Sequence, residues 1–371
     1  MSAVHPIVAN IQSLADAATW ERTLALADQA IPAWLARLSH ERLERVYLFG
    51  CGTSYYAAQV GKYYVEHLAH IPAEAVQAFA FATYAEPALL GPRTLGVAVS
   101  TSGESEAVCD ALARARSAGS PTLAVTAHSE SSIARAADAV ALTGGEDDRV
   151  PCKTKSYVQS LVTTSLLAVY LAEARGRGGV ELVANWRREV SRAAEGARRF
   201  LDDGQRQIEE LASRFAAAPN VFVLGAGPNA GTAEEGALKI IEMAKMYSEA
   251  RELEDFLHGR LREVDQSTPL FLIAPPGRAT RRVLDFLTVT DHVRAPSVVL
   301  TSDVTPGIQR LATHVIRLPN GLAEIATPLL YVVPLHLFAY HVAVKRGWDP
   351  LSRRYDDILP QKMRYGGPET A

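Results

Sequence analysis

Short apolar runs alternate with amphipathic stretches along most of the chain, and that alternation predicts its architecture. "RVYLFG" (45–50), "AVQAFAF" (75–81), "LGVAVS" (95–100), "TLAVTA" (122–127) and "AVALTGG" (139–145) read as strands. Helical segments such as "SYYAAQVGKYYVEHLA" (54–69) and "ESEAVCDALARARSAG" (104–119) separate most of them. Strands that are apolar throughout and alternate with helices predict a parallel sheet covered on both faces. A long helix over roughly 156–175 closes this half. Ahead of it, residues 1–40 read as amphipathic helix, with Trp20, Leu24, Leu26, Ile31, Trp34 and Leu38 at the apolar positions.

The pattern then restarts. Residues 180–218 are again helical and rich in Arg, Glu and Ala, and "VFVLG" (221–225) ends in glycine as "RVYLFG" does. After it come the helical "TAEEGALKIIEMAKMYSE" (232–249), "LFLIAPP" (270–276), the helix "ATRRVLDFLTVT" (279–290), and the strands "SVVLTS" (297–302) and "VIRLP" (315–319). The helix "TPLLYVVPLHLFAYHVAVKRG" (327–347) mirrors the one that ends the first half. The expected organisation is an N-terminal helical segment (1–40), two related α/β units (41–178 and 179–348) and a C-terminal tail (349–371).

Composition narrows the class. The chain has 371 residues, too many for one comfortable core, with 48% hydrophobic and 21% charged residues. A net charge of −3 leaves no electrostatic footprint for nucleic acid. Cys51, Cys109 and Cys152 are odd in number and far apart, which fits a reducing cytoplasm rather than a disulfide framework. The N-terminus lacks the pattern of a signal peptide. No membrane span is expected, the nearest apolar run being "LVTTSLLAVYLAEA" (161–174).

Two loops carry the first candidate chemistry. In "FGCGTSYYAA", Gly50 and Gly52 allow a tight strand-to-helix turn, and Thr53 and Ser54 stand at the helix start, where free N–H groups and the helix dipole favour an anion. In "GVAVSTSGESEAV", an apolar strand discharges into the hydroxyls of Ser100, Thr101, Ser102 and Ser105 around Gly103. Two such loops at the carboxyl ends of strands in one parallel sheet can converge on a phosphate. Neither has the Gly-Lys-Ser/Thr ending of nucleotide hydrolases. "VPCKTKSYVQS" (150–160) sets Lys153 and Lys155 at a helix start, against the dipole, which tilts that loop towards an anion as well.

The second half supplies a different set. Glu235, Lys239 and Glu242 lie at i, i+4 and i+7 and share one helical face, and His258-Gly259 follows. That spacing fits a solvated stripe or, since the helix is otherwise apolar, a partly buried carboxylate. No metal is expected, because His336 and His341 are five residues apart and the cysteines are scattered. No cofactor is expected either: "GAGPNAG" (225–231) has one residue too many before its third glycine for a dinucleotide fingerprint.

Taken together, "CGTSYYA", "VSTSGES", "KTKSYVQ", "EEGALKIIEM", "HG" and "YVVPLHLFAYHV" resemble the double sugar-isomerase (SIS) domain family, in order and spacing, over nearly all of the chain from about residue 20. The likeness is greatest to the isomerase half of glutamine–fructose-6-phosphate aminotransferases, and extends to SIS-type glucosamine-6-phosphate deaminases and fructosamine-6-phosphate deglycases. It implies an α/β fold of two tandem SIS domains, each a flavodoxin-like parallel sheet flanked by helices. It implies a homodimer whose active site is completed by the neighbouring subunit, with a small sugar phosphate as ligand.

The resemblance also implies roles. Thr53, Ser54, Ser100, Thr101, Ser102 and Ser105 match the phosphate-binding hydroxyls; Glu242 matches the glutamate that moves a proton between C1 and C2, with Lys239 beside it. His258 matches the histidine that opens the sugar ring across the subunit boundary. Lys362 is the candidate for a tail lysine that closes the site. Gly52, Lys153, Lys155 and Glu235 are expected around the substrate. Lys153 stands where the aminotransferase "ASTK" has serine, a substrate-determining difference. No amidotransferase domain is expected ahead of the SIS region, so glutamine-dependent synthesis is not. The expected activity is isomerisation of a 6-phosphorylated amino sugar coupled to loss of ammonia or an amine. The alternatives are deglycation of a fructosamine 6-phosphate and non-catalytic sensing.

Overall fold

The computed structural model describes residues 4–145, 148 and 150–354. The described chain forms two compact units: Glu21–Trp186, and Arg187–Leu351 joined by the residues up to Trp20. The N-terminal segment is thus shared between them. It is not one helix but two, α1 (Pro6–Gln12) and α2 (Ala17–Leu35), separated by a 3-10 turn at Ser13–Ala15.

In the Glu21–Trp186 unit the strands and helices follow the chain as β1 (Arg45–Gly50), α3 (Thr53–Tyr64), β2 (Ala73–Gln77), α4 (Ala78–Tyr84), β3 (Thr94–Val99), α5 (Glu106–Ser117), β4 (Thr122–Thr126), α6 (Ser132–Ala136), β5 (Ala139–Leu142) and α7 (Lys155–Ala174). All pairings are parallel, in the order β2-β1-β3-β4-β5. β1, β3 and β4 are apolar because helices cover both faces; every residue of β3 and β4 is buried. The expected strand "AVQAFAF" divides: it ends at Gln77, and its aromatic half turns into α4, where Phe81 packs on Phe49 and Tyr47. α7 is buried continuously from Lys155 to Ala172, a central core helix.

α8 (Gly179–Asp203) crosses from one unit to the other. The second unit then runs α9 (Gln205–Phe215), β6 (Asn220–Gly225), α10 (Pro228–Ala244), β7 (Tyr247–Glu252), α11 (Leu253–Leu257), β8 (Leu270–Ile273), α12 (Thr280–Val293), β9 (Ser297–Thr301), α13 (Pro306–Leu311), β10 (His314–Arg317) and α14 (Pro328–Lys345). Its parallel sheet, β7-β6-β8-β9-β10, repeats the strand order of the first. β7 is a strand that apolar patterning does not reveal, since "YSEARE" lies at the sheet edge, where Glu252 is exposed and Glu249 is paired with Arg251 and Arg260.

The duplication extends to backbone detail. Gly52 (φ 53°, ψ −129°) and Gly227 (φ 56°, ψ −126°) take the same left-handed conformation between strand and helix. A Cβ on Gly50 or Gly225 would collide with the backbone of Ser54 or Asn229, so both turns need glycine. Among the described residues one helix, Pro328–Lys345, is long and apolar enough to cross a membrane, rather than the 161–174 run; it is mostly buried and packs on α9 and α10.

Candidate active site

In a sheet of order 2-1-3-4-5 the strand order reverses between β1 and β3, and ligands of such folds sit above that switch point. The two hydroxyl-bearing segments follow those neighbouring strands, β1 and β3. Ser105 Oγ lies 3.9 Å from Cys51 Sγ, so the loops are in contact. Neither helix that follows, α3 or α5, has a side-chain cap on its first N–H groups. Helix N-termini without side-chain caps, beside hydroxyls on neighbouring loops, are the kind of arrangement that favours an anion.

The loop after β3 is held from inside. Ser100 Oγ accepts a hydrogen bond from the Gly103 N–H at 3.1 Å, and the Gly103 carbonyl accepts one from Ile133 at 3.1 Å. Glu104 accepts from the Ser132 N–H and hydroxyl at 2.9 and 2.6 Å, and these bonds hold its carboxyl below the usual carboxylate range. Ser54, Ser100 and Thr101 are buried, Thr53 and Ser105 half-buried, and Ser102 is exposed. All six sequence-predicted hydroxyl residues therefore lie on the loop after β3 or in the first turn of α3, at the two strands that flank the switch point.

Lys153 and Lys155 behave otherwise. The anion at the start of α7 is the chain's own Asp148, a buried carboxylate that accepts from Ser156 Oγ (2.8 Å) and the Ser156 N–H (3.3 Å). Lys153 Nζ donates to the Asp148 carbonyl and lies 3.9 Å from its carboxylate, while Lys155 is buried. The mismatch with the dipole is thus answered internally. Asp148 has no sequence signal, because only the fold carries it to the helix start seven residues later.

In the second unit, α10 sets Glu235, Lys239 and Glu242 on one face as the spacing predicts. Lys239 Nζ lies 2.6 Å from Glu242 Oε2 and 3.5 Å from Glu235 Oε1; Lys239 and Glu235 are wholly buried, and the Glu242 side chain is 34% exposed. This is no solvated stripe, but a buried ion pair that surfaces at one carboxylate. His336 Nε2, from α14, lies 3.3 Å from Glu235 Oε1. In the sequence His336 stands out only as a candidate metal ligand; its separation of 101 residues from Glu235 hides their contact. His258 stands apart from this set, 73% exposed, with Glu254 Oε1 3.3 Å away. Lys362 lies outside the described residues. Among the described residues no group of three or more His, Cys, Asp and Glu side chains could hold a metal ion.

A doubly wound α/β unit with hydroxyl-bearing loops at its switch point, followed by a second unit of the same strand order that carries a charged helix pair, defines a duplicated α/β protein. Residues 38–170 and 214–346 each match the SIS domain, and the chain belongs to that family. A glutamine–fructose-6-phosphate aminotransferase (isomerizing) of Gloeobacter violaceus is 33% identical over 307 residues, 83% of this chain and 50% of that protein. The chain thus spans about half the length of the curated relatives it matches. Among solved structures, the C-terminal domain of glucosamine-fructose-6-phosphate aminotransferase from Francisella tularensis superposes with a TM-score of 0.85 at 20% identity, covering 95% of this chain and 99% of that one. A glucosamine-6-phosphate deaminase from Thermotoga maritima gives 0.70 at 19% identity, covering 95% and 98%. At these identities the structural likeness concerns the fold.

Proposed function

We propose that the protein is an enzyme of amino-sugar phosphate metabolism, which isomerises a 6-phosphorylated amino sugar between aldose and ketose forms and releases ammonia or an amine. The observation that carries this reading is the 2.6 Å Lys239–Glu242 pair, buried at one end and open at the other, in a chain that also owns a hydroxyl cradle suited to phosphate. The phosphate, remote from the reacting carbons, supplies binding energy that fixes the sugar. Glu242 takes a proton from one of C1 and C2 and returns it to the other through an enediol or enolamine, with the Lys239 ammonium balancing its charge. Water adds at the carbon bearing nitrogen, and ammonia or the amine leaves. His258 assists ring opening. Its exposure supports a homodimer in which it serves the neighbouring subunit, and Lys362 of the tail is the candidate to close the site.

The test has two arms. Glu242→Gln removes the base with little change of shape, so C2 proton exchange should fall about 100-fold or more while sugar-phosphate binding survives; turnover near wild type would refute the assignment. A panel of 6-phosphorylated amino sugars and fructosamines, scored for the released nitrogen compound, names the substrate. Ammonia from glucosamine 6-phosphate selects a deaminase, a released amino acid selects a deglycase, and binding without release selects a sensor.

A further inference from the structure

Behind Glu242 the charged side chains continue inward. Lys239 lies between two carboxylates, 2.6 Å from Glu242 and 3.5 Å from Glu235, and His336 Nε2 approaches the same Glu235 Oε1 at 3.3 Å. Glu235 and His336 are both wholly buried, and Glu235 Oε2 has no hydrogen-bond partner among the described residues. The contact follows from a close crossing of α10 and α14. A Cβ on Gly236 would stand 2.6 Å from Leu335 Cδ1 and 3.1 Å from its Cβ, so the glycine lets α14 come near enough for the adjacent residue, His336, to meet Glu235.

A carboxylate in an apolar interior is costly unless donors satisfy it. If Lys239 were the only donor beside Glu235, the ammonium would be drawn into the core and away from Glu242. The histidine donor relieves that demand, and the lysine leans outward to the open carboxylate, as the two distances record.

We propose that His336 is a positioning residue for the proton-transfer carboxylate, holding Glu235 so that Lys239 stays against Glu242. The role given to Glu242 rests on the function proposed above; the placement of Lys239 does not.

The experiment follows both. In full-length protein labelled with ¹⁵N at lysine Nζ, the Lys239 ammonium signal is identified by its loss in Lys239→Met. His336→Leu should displace that signal and lower kcat about 10-fold or more with KM nearly unchanged, because a small misplacement of a catalytic group is expensive. His336→Gln, whose amide N–H can donate to Glu235, should restore both. If the leucine variant does not fold, His336→Asn, too short to reach, takes its place. An unmoved Lys239 signal in His336→Leu overturns the proposal, and so does a folded His336→Gln as impaired as the leucine variant. If the wild type turns over no sugar phosphate, the proposed function fails while the ammonium signal still decides whether His336 places Lys239.

Discussion

The loop after β3 offers a sharp test of whether the hydroxyl cradle is a built site. Gly103 has φ +68°, and a Cβ there would stand 2.3 Å from Ser131 Cβ, 2.1 Å from its Oγ and 2.9 Å from Thr126 Oγ1. The Ser131 hydroxyl can rotate away, but its Cβ moves only with the start of α6, to which the loop is tied by the Ile133–Gly103 hydrogen bond. Gly103→Ala therefore meets two costs: about 1 kcal/mol for a left-handed alanine, and about 1–3 kcal/mol for overpacking. Gly119→Ala is the control, since Gly119 has φ +79° and nothing within 4 Å of the added methyl. For a unit of this size each kcal/mol lowers Tm by about 2–4 °C. Differential scanning calorimetry should then show a loss of about 2–4 °C for Gly119→Ala and roughly 4–16 °C for Gly103→Ala. Titration calorimetry with inorganic phosphate or a hexose 6-phosphate should show binding intact in the first and weakened about tenfold or more in the second, because the shifted loop misplaces its hydroxyls. Equal melting losses in the two variants, with phosphate binding preserved in both, would refute the cradle.

Two further outcomes test the cores and surfaces around the site. Tyr64 is wholly buried with a hydroxyl that has no hydrogen-bond partner among the described residues, and burial pushes its phenol above the ordinary value. Tyr64→Phe should leave Tm unchanged or raise it, by about 1 kcal/mol of relieved desolvation; a marked loss would mean that the hydroxyl is held. On the exposed face of α8, hydrogen bonds from Arg198 and then Arg199 lower the Glu195 carboxyl from 4.5 to about 2. A depressed folded-state value contributes stability above pH 4.5 that is lost as pH falls through 2. Glu195→Gln should thus cost stability at neutral pH, and the difference should fade across that acid window and in about 1 M salt. A difference independent of pH would contradict it.

The parallel sheets were legible because β1, β3, β4, β6, β8 and β9 carry uninterrupted apolar runs between helices. β7 was not, since an edge strand needs no apolar face on the solvent side, and Ala78–Phe81 misled because aromatic residues suit strands and buried helices alike. At the candidate site, residues near one another in sequence were readable: the cradle hydroxyls from their loops, and Glu235, Lys239 and Glu242 from helical spacing. Partners that fall outside any regular spacing were not. Asp148 answers the lysines at α7 and His336 answers Glu235 only after the chain has folded, and no local pattern announces either.

The duplication provides an internal comparison for the charged helix pair. α3 crosses α7 in the first unit much as α10 crosses α14 in the second, and a glycine lies at each crossing. Gly61 faces Leu48 and Thr164, as Gly236 faces Leu335. Counting from Gly50 and Gly225, the positions of Glu235 and Lys239 on α10 correspond to Val60 and Tyr64 on α3, both buried. The same crossing therefore packs with an uncharged pair, and folding alone does not demand ions there. Burying Glu235 and Lys239 costs several kcal/mol per ion before their attraction is counted, and an uncharged solution lies within reach of the same architecture. The cradle shows the converse: the loop after β8, "APPG" (274–277), has none of the hydroxyls of the loop after β3, and its Arg278 N–H is taken by Glu324. On the proposed function, each unit carries one half of the chemistry on a scaffold that folds without it. That division favours reading the hydroxyls and the His336–Glu235–Lys239–Glu242 series as functional equipment rather than as packing.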